Sequence, residues 1–188
     1  MISLIVGLGN PGDEYKKTRH NAGFLLLDAL AVELGVSFAY EAKFKAETAK
    51  CLINGQSVRL IKPQSFMNKS GLSVSMCANY FDVPIEQILV VHDELDIEPG
   101  VVRLKVGGGH GGHNGLRDII THLSSKGFYR LRIGVGHPGD RNKVVNYVLK
   151  APSKSELILL ESSIDQVINE MPNICGGEYQ QVMQRLHS

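Results

Sequence analysis

Tryptophan is absent from this 188-residue sequence, and aromatic residues make up only 6% of it. Cysteine is scarce as well: Cys51, Cys77 and Cys175 are the three present, and no two are spaced as CxxC. An odd number at wide spacing offers neither a disulfide framework nor a thiolate zinc knuckle, so a cytoplasmic setting is expected. No apolar run approaches the roughly 20 residues that span a bilayer, and no membrane partner is expected. The N-terminal MISLIVGLGNPG has no basic leader and no small-residue cleavage site, and it reads as a buried first strand rather than a signal peptide. Repeats, low-complexity tracts and linkers are missing too. One domain over residues 1–188 follows as the expectation.

What is present is an ordinary globular mixture, with 43% hydrophobic residues, 21% charged residues and a net charge of +1. This composition excludes a disordered chain and allows a sizeable core without staples. The near-zero charge hides an asymmetry. Between Arg103 and Lys143 stand eight basic residues against two acidic ones, so that segment carries +6 and the remainder −5. Such a segment is either a footprint for phosphates or a set of solvated surface charges.

The patterning predicts a mixed α/β fold: a β-sheet with parallel core strands plus an antiparallel hairpin, flanked by helices. Ile2 to Gly9 reads as a buried strand, and Asn10-Pro11-Gly12 as a turn. Phe24 to Leu34 is amphipathic at helical spacing, with Gly35 placed to end it. Residues 45–53 and 56–62 flank Asn54-Gly55, a strong hairpin signal because both residues tolerate positive φ. A helix is predicted over Ser65–Phe81, and a buried strand over Gln87–Val91 that runs straight into His92-Asp93-Glu94. Strands at 101–106 and 129–135 bracket a glycine loop and a helix from Leu116 to Ser125. Three further helices are expected at 143–149, 155–170 and 178–186.

Two glycine motifs invite a function. Gly7-x-Gly9-x-x-Gly12 after a strand matches the dinucleotide fingerprint, but Pro11 sits where a helix should offer N–H groups to a pyrophosphate. A hairpin then follows where a parallel strand with a ribose-binding acid is required. No nucleotide cofactor is expected. The segment Gly107 to Gly115 is six-ninths glycine and holds His110, His113 and Asn114. Glycine is costly to order, so its retention there suggests close approach or motion, and Asn114 is placed to cap the helix that follows. His110 and His113, with His20, His92 and Asp93, raise the thought of a metal. HExxH is absent, however, and a pair set among glycines is poorly preorganised. GxSxG is absent as well, and no cysteine sits in a nucleophile-like turn.

What remains is a histidine, a carboxylate and several amides: His20, Asp93 at a strand end, Asn10 after the first strand, and Asn68 near a helix start. An imidazole held by a carboxylate is a water-activating base, and amides can meet an oxyanion. A hydrolase is the reading these residues favour. A non-catalytic RNA-binding module using the basic segment and a metallohydrolase using His110 and His113 stay open at this level.

The same segments are similar to the bacterial-type peptidyl-tRNA hydrolase family. The shared blocks run from Val6-Gly7-Leu8-Gly9-Asn10-Pro11-Gly12 and Thr18-Arg19-His20-Asn21-Ala22-Gly23 through Phe66-Met67-Asn68-Lys69-Ser70-Gly71 and His92-Asp93-Glu94-Leu95-Asp96. They end with Gly107 to Leu116 and Arg130 to Pro138. The resemblance implies a metal-independent esterase without cofactor, a monomer, cleaving the ester between a peptide and the 3′-terminal ribose of tRNA and so recycling tRNA in translation. It implies His20 as the catalytic base and Asp93 as its orienting carboxylate. It further implies substrate contacts from Asn10, Tyr15, Met67, Asn68, His113 and Asn114, and tRNA-phosphate contacts from Lys105 and Arg132.

Overall fold

The computed structural model describes residues 1–187. Its centre is one seven-stranded sheet built from β1 (Leu4–Gly7), β2 (Ala39–Glu41), β3 (Ala46–Ile53), β4 (Gln56–Pro63), β5 (Ile88–Glu94), β6 (Val102–Val106) and β7 (Tyr129–Gly134). The strand order is β2-β3-β4-β1-β5-β7-β6. The four central strands β4, β1, β5 and β7 are parallel, while β2–β3–β4 and β6–β7 pair antiparallel. The predicted mixed sheet with parallel core strands and a hairpin is thus the observed one.

Burial explains the central strands. All four residues of β1 and the first six of β5 are buried, as expected where helices cover both faces of a parallel sheet. Successive side chains alternate between two cores. Ile5, Leu89 and Val91 join the core under α1 (Ala22–Leu34), α5 (Lys154–Cys175) and α6 (Tyr179–His187). Leu4, Val6 and Val90 join the core under α2 (Ser70–Tyr80) and α3 (Asn114–Leu123). All three cysteines are unpaired and buried.

Local rules set the boundaries. Asn54 (φ 54°) and Gly55 (φ 75°) both take positive φ, and Ile53 pairs with Gln56 across the two-residue turn, as a primed hairpin turn requires. Gly35 (φ 68°) caps α1 in the left-handed region. Ser153 and Glu156 form a reciprocal capping box at the start of α5.

Several expectations need correction. The helix expected from Ser65 begins as a 3-10 turn at Met67–Lys69 and becomes α-helical only at Ser70. The strand expected to stop at Val91 continues through Glu94, because β7 offers partners as far as Gly134. Asp93 therefore lies inside a strand end rather than beyond it. The helix expected over 155–170 runs on to Cys175 through Pro172, since Met171, Ile174 and Cys175 are buried against the core. The stretch 143–149 holds a 3-10 turn at Arg141–Lys143 and a short helix α4 (Val144–Val148). The edge strand β2 carries no strong pattern and was not expected.

One close approach positions everything that follows. A Cβ on Gly23, in the first turn of α1, would lie 2.4 Å from the Val91 carbonyl oxygen and 2.5 Å from the Leu8 nitrogen. A Cβ on Gly7 would lie 2.6 Å from the Gly23 carbonyl oxygen. Only glycines let the start of α1 settle onto the ends of β1 and β5, and His20 sits immediately before that turn. Glycines of the dinucleotide-like motif thus serve helix–strand packing, Gly9 lying against the ring of Phe24. Gly23→Ala is expected to destabilise by about 3 kcal/mol or more, because backbone cannot yield to overpacking. Gly35→Ala, whose Cβ meets nothing within 4 Å, should lose only about 1–2 kcal/mol for its left-handed φ. Denaturant midpoints of the two variants check this ordering.

Candidate active site

The carboxyl-terminal ends of β1, β4 and β5 converge where the chain reverses direction across the sheet, the place where open α/β sheets bind ligands. Asn10 follows β1, Met67 and Asn68 follow β4, and Asp93 ends β5. The 3-10 turn Arg19–Asn21 brings in His20, and the start of α3 brings in His113 and Asn114. Together they border a cleft of about 270 Å³, walled by Phe66, Leu95, Val144, Val145, Val148 and Leu149. Phe66 and Val145 are exposed, so an apolar surface faces the opening.

Asp93 is the hub. It is buried, yet Nδ1 of His20 lies 3.0 Å from each of its oxygens and Nε2 of His113 lies 2.9 Å from Oδ1. Burial alone would raise its pKa. The charge of protonated His20 and the N–H bonds from both histidines outweigh burial and hold it below the usual carboxylate range. Asp93 is therefore an ionised acceptor, and both histidines must donate to it.

The two histidines are not equivalent. Nδ1 of His113 accepts the backbone N–H groups of Gly115 (3.1 Å) and Leu116 (3.3 Å). That leaves the proton on Nε2, which donates to Asp93, so both nitrogens of His113 are engaged. His20 uses only Nδ1, leaving the Nε2 lone pair for the cleft it lines. Burial opposes charging His20, but the Asp93 charge and hydrogen bond prevail and raise its pKa above 6.5. His20 is the one group here placed to take a proton from water.

His113, not Asn114, is the N-cap of α3. Its backbone is extended (φ −76°, ψ 114°) and its imidazole outreaches the amide, so Asn114 becomes the first helical residue. The exposed amides of Asn68 and Asn114 line the cleft. Asn10 is held more tightly. Its Oδ1 accepts the Met67 N–H at 2.7 Å, which fixes the amide orientation and turns Nδ2 into a donor. Met67 is buried beneath, its sulfur against Gly115. Tyr15 does not line the cleft; it packs edge-on against Phe66, ring centres 6.3 Å apart.

Lys105 and Arg132 also lie outside the cleft. They border an adjoining groove of about 330 Å³ with His92, Glu94, His110, Gly111 and Arg130. Lys105 pairs with Arg130 and Arg103 with Arg132 across β6 and β7, which sets four cations on one face of the antiparallel edge. Burial first, then Arg132 and Arg130, lowers the Lys105 pKa.

Four residues of the surroundings were given no role in the site by the sequence, although His92 was weighed as a metal ligand and all four fall within the family's motif blocks. Asn21 is buried and clamps Asn10, accepting its N–H at 2.9 Å and donating to its carbonyl at 3.0 Å. Arg19 reaches the carbonyl of Tyr147 (2.9 Å) and the carboxylate of Glu156 (3.1 Å), tying the α4 wall to the His20 turn. His92 donates Nδ1–H to the Asp93 carbonyl, and burial, then His113, pushes its pKa down to about 3. Arg130 is buried under the glycine loop. Each acts through its fold neighbours, which spacing along the chain does not reveal.

His20, Asp93 and His113 bring ligand atoms within 4.8 Å of one another, the one such cluster among the described residues. The tautomer of His113 argues against a metal there. With Nδ1 accepting two amides, Nε2 could bind an ion only as an imidazolate. The other histidine proposed for a metal, His110, instead accepts the Gly112 N–H at 2.9 Å within its own loop.

Among the described residues no helix is long and apolar enough to cross a membrane. The family model described as peptidyl-tRNA hydrolase matches residues 4–188. A peptidyl-tRNA hydrolase of Nitrosomonas europaea is 51% identical over 187 residues, covering 100% of this chain and 96% of that one. One from Histophilus somni is 55% identical over 166 residues, 88% and 86% of the two chains. The crystal structure of peptidyl-tRNA hydrolase from Acinetobacter baumannii superposes with a TM-score of 0.96 at 46% identity, covering 98% of this chain and 94% of that one. With a matched model spanning nearly its whole length and relatives identical at half their positions, the chain belongs to the peptidyl-tRNA hydrolase family.

Proposed function

We propose that this chain hydrolyses the ester joining a peptide to the 3′-terminal ribose of tRNA, as a cytoplasmic, monomeric, single-domain enzyme that recycles tRNA in translation. Family membership supports the substrate. The observation that carries the chemistry is the His20 Nδ1–Asp93 contact at 3.0 Å in an open cleft, with the Nε2 atom unengaged.

In this reading neutral His20 removes a proton from water through Nε2, and Asp93 stabilises the imidazolium that forms. The hydroxide oxygen bonds to the ester carbonyl carbon. Donor groups such as Nδ2 of Asn10 meet the oxyanion or the peptide backbone. The C–O bond to the ribose then breaks, and His20 returns its proton to the departing 3′-oxygen. One water is consumed, and no metal or cofactor enters. His113 orients Asp93. Asn68 and Asn114 bind polar groups of the peptide and the tRNA end, and Met67 forms the floor. Tyr15 supports the substrate side through Phe66. A free α-amine in place of a peptide bond would leave these amides unpaired, which disfavours aminoacyl-tRNA. Lys105 and Arg132 take tRNA phosphates in the adjoining groove, giving affinity without sequence preference.

His20→Ala should lower kcat on peptidyl-tRNA about 100- to 10,000-fold while tRNA binding survives; turnover near the wild-type rate would remove the imidazole from the mechanism. Aminoacyl-tRNA with a free α-amine serves as the control substrate and should be cleaved poorly.

The pH profile has a defined sign. Only neutral His20 is a base, so kcat rises with pH through the His20 pKa. Asp93 holds that midpoint above 6.5. Asp93→Asn removes the charge, so the midpoint should fall as kcat drops. A profile flat from about pH 5 to 8 with chemistry rate-limiting contradicts the assignment.

Lys105→Gln and Arg132→Gln should each raise KM for full-length peptidyl-tRNA. Each should also lower the slope of log affinity against log salt by roughly 0.7–0.9, the share of one phosphate contact. Titrations between low and moderate salt measure both effects.

A further inference from the structure

The basic groove and the cleft share a wall, the loop Gly107–Gly112, and one cation underlies it. Arg130 is fully buried in β7 between β5 and β6. Its guanidinium donates to the carbonyl oxygens of Gly109 (2.5 Å), Gly108 (2.6 Å) and Lys126 (3.3 Å), and lies over the Phe128 ring, 4.5 Å from its centre. Its Nε is buried without a hydrogen-bond partner. The charged and titratable groups around it are Lys105 on β6, Arg132 on β7, Glu94 and His92 on β5, Asp96 beyond β5, and His110 in the loop itself.

The loop itself is weakly held. Gly108, Gly109, Gly111 and Gly112 are exposed, and Gly107, Gly108, Gly111 and Gly112 take positive φ. Upstream, the backbone is fixed by Gly107 N–H on the Phe128 carbonyl. Next come the Arg130 bonds to Gly108 and Gly109. Four residues beyond Gly109 stands His113, whose own N–H closes a turn on the His110 carbonyl. On the sheet side His113 also packs against the His92 ring (centres 5.1 Å apart), and the Arg130 guanidinium is the anchor that holds the loop leading into it.

We propose that Arg130 is a positioning residue which pins the glycine loop to β7 and thereby sets where His113 meets Asp93, rather than a ligand of tRNA phosphate. A three-carbonyl cradle of this kind needs a planar fork. A lysine carries its three donors on one compact nitrogen and cannot span it as a planar fork does. The inference rests on the function proposed above, and its test separates the two.

The probe is Arg130→Lys, assayed on full-length peptidyl-tRNA and on a short N-blocked aminoacyl ester of adenosine that carries no phosphate. A shift of about 1 Å in a supporting group can lower rate about 100-fold, so kcat should fall about 10- to 100-fold on both substrates. The midpoint of the kcat–pH profile should move upward, because a carboxylate relieved of the His113 N–H gives more of its charge to His20. In the free protein, the ¹⁵N resonance of His113 Nε2 should shift, a readout that needs no turnover. A phosphate-ligand role predicts instead a raised KM on tRNA alone, with the short ester, the pH midpoint and the resonance unchanged; that result overturns the inference. A lower melting temperature with unchanged kcat and unchanged resonance overturns it as well. Should Arg130→Lys fail to fold, a glycine inserted between Gly109 and His110 leaves the Arg130 bonds intact but breaks the spacing to His113. It should reproduce the loss on both substrates, and full activity would overturn the inference. If the wild-type protein cleaves neither substrate, the proposed function fails, while the resonance shift still judges the anchor.

Discussion

The structure depends on one buried carboxylate shared by two imidazoles. A buried ion is expensive unless its hydrogen-bonding capacity is filled, and Asp93 meets that condition by accepting from His20 and His113 at 2.9–3.0 Å. The rest of the site can be read as the means of bringing these three groups together. The Gly7–Gly23 approach delivers the His20 turn, the long β5 delivers Asp93, and the cap of α3 delivers His113. Because the three come from separate parts of the chain, the arrangement exists only in the folded state.

The symmetry of the cluster is broken by backbone amides. Gly115 and Leu116 occupy one nitrogen of His113 and fix its tautomer, so a pair of similar histidines divides into one with both nitrogens engaged and one with Nε2 open. A helix N-terminus does this without any additional side chain, since its first N–H groups have no partner within the helix. The same economy appears at Asn10, where the Met67 N–H settles which end of the amide faces the cleft.

How much of this was legible depends on range. The hairpin at Asn54-Gly55, the cap at Gly35 and the buried strands were readable because each follows from a handful of adjacent residues. His20, Asp93, Asn10, Asn68 and Asn114 were readable as a constellation, and the family motifs gave them an order. Arg19, Asn21, His92 and Arg130 were not, because what distinguishes them is a partner far along the chain: Glu156, Asn10, His113 and the glycine loop. The misassigned cap of α3 has the same origin. Asn114 is the better cap by local preference, but His113 is also drawn to Asp93 twenty residues upstream, and that contact decides the register. The end of β5 and the length of α5 were missed because strand partners and core contacts extend elements beyond what their own pattern predicts.

The cleft and the basic groove lie back to back, with His92, Glu94, His110 and Gly111 bordering both. A ligand that fills the two hollows together has to bridge that partition. Under the function proposed above, that partition separates a scissile bond at His20 from a phosphate at Lys105. Under that function, a chain too short to bridge the partition, or too rigid to bend over it, engages one hollow and forfeits the other, and substrates are sorted by reach.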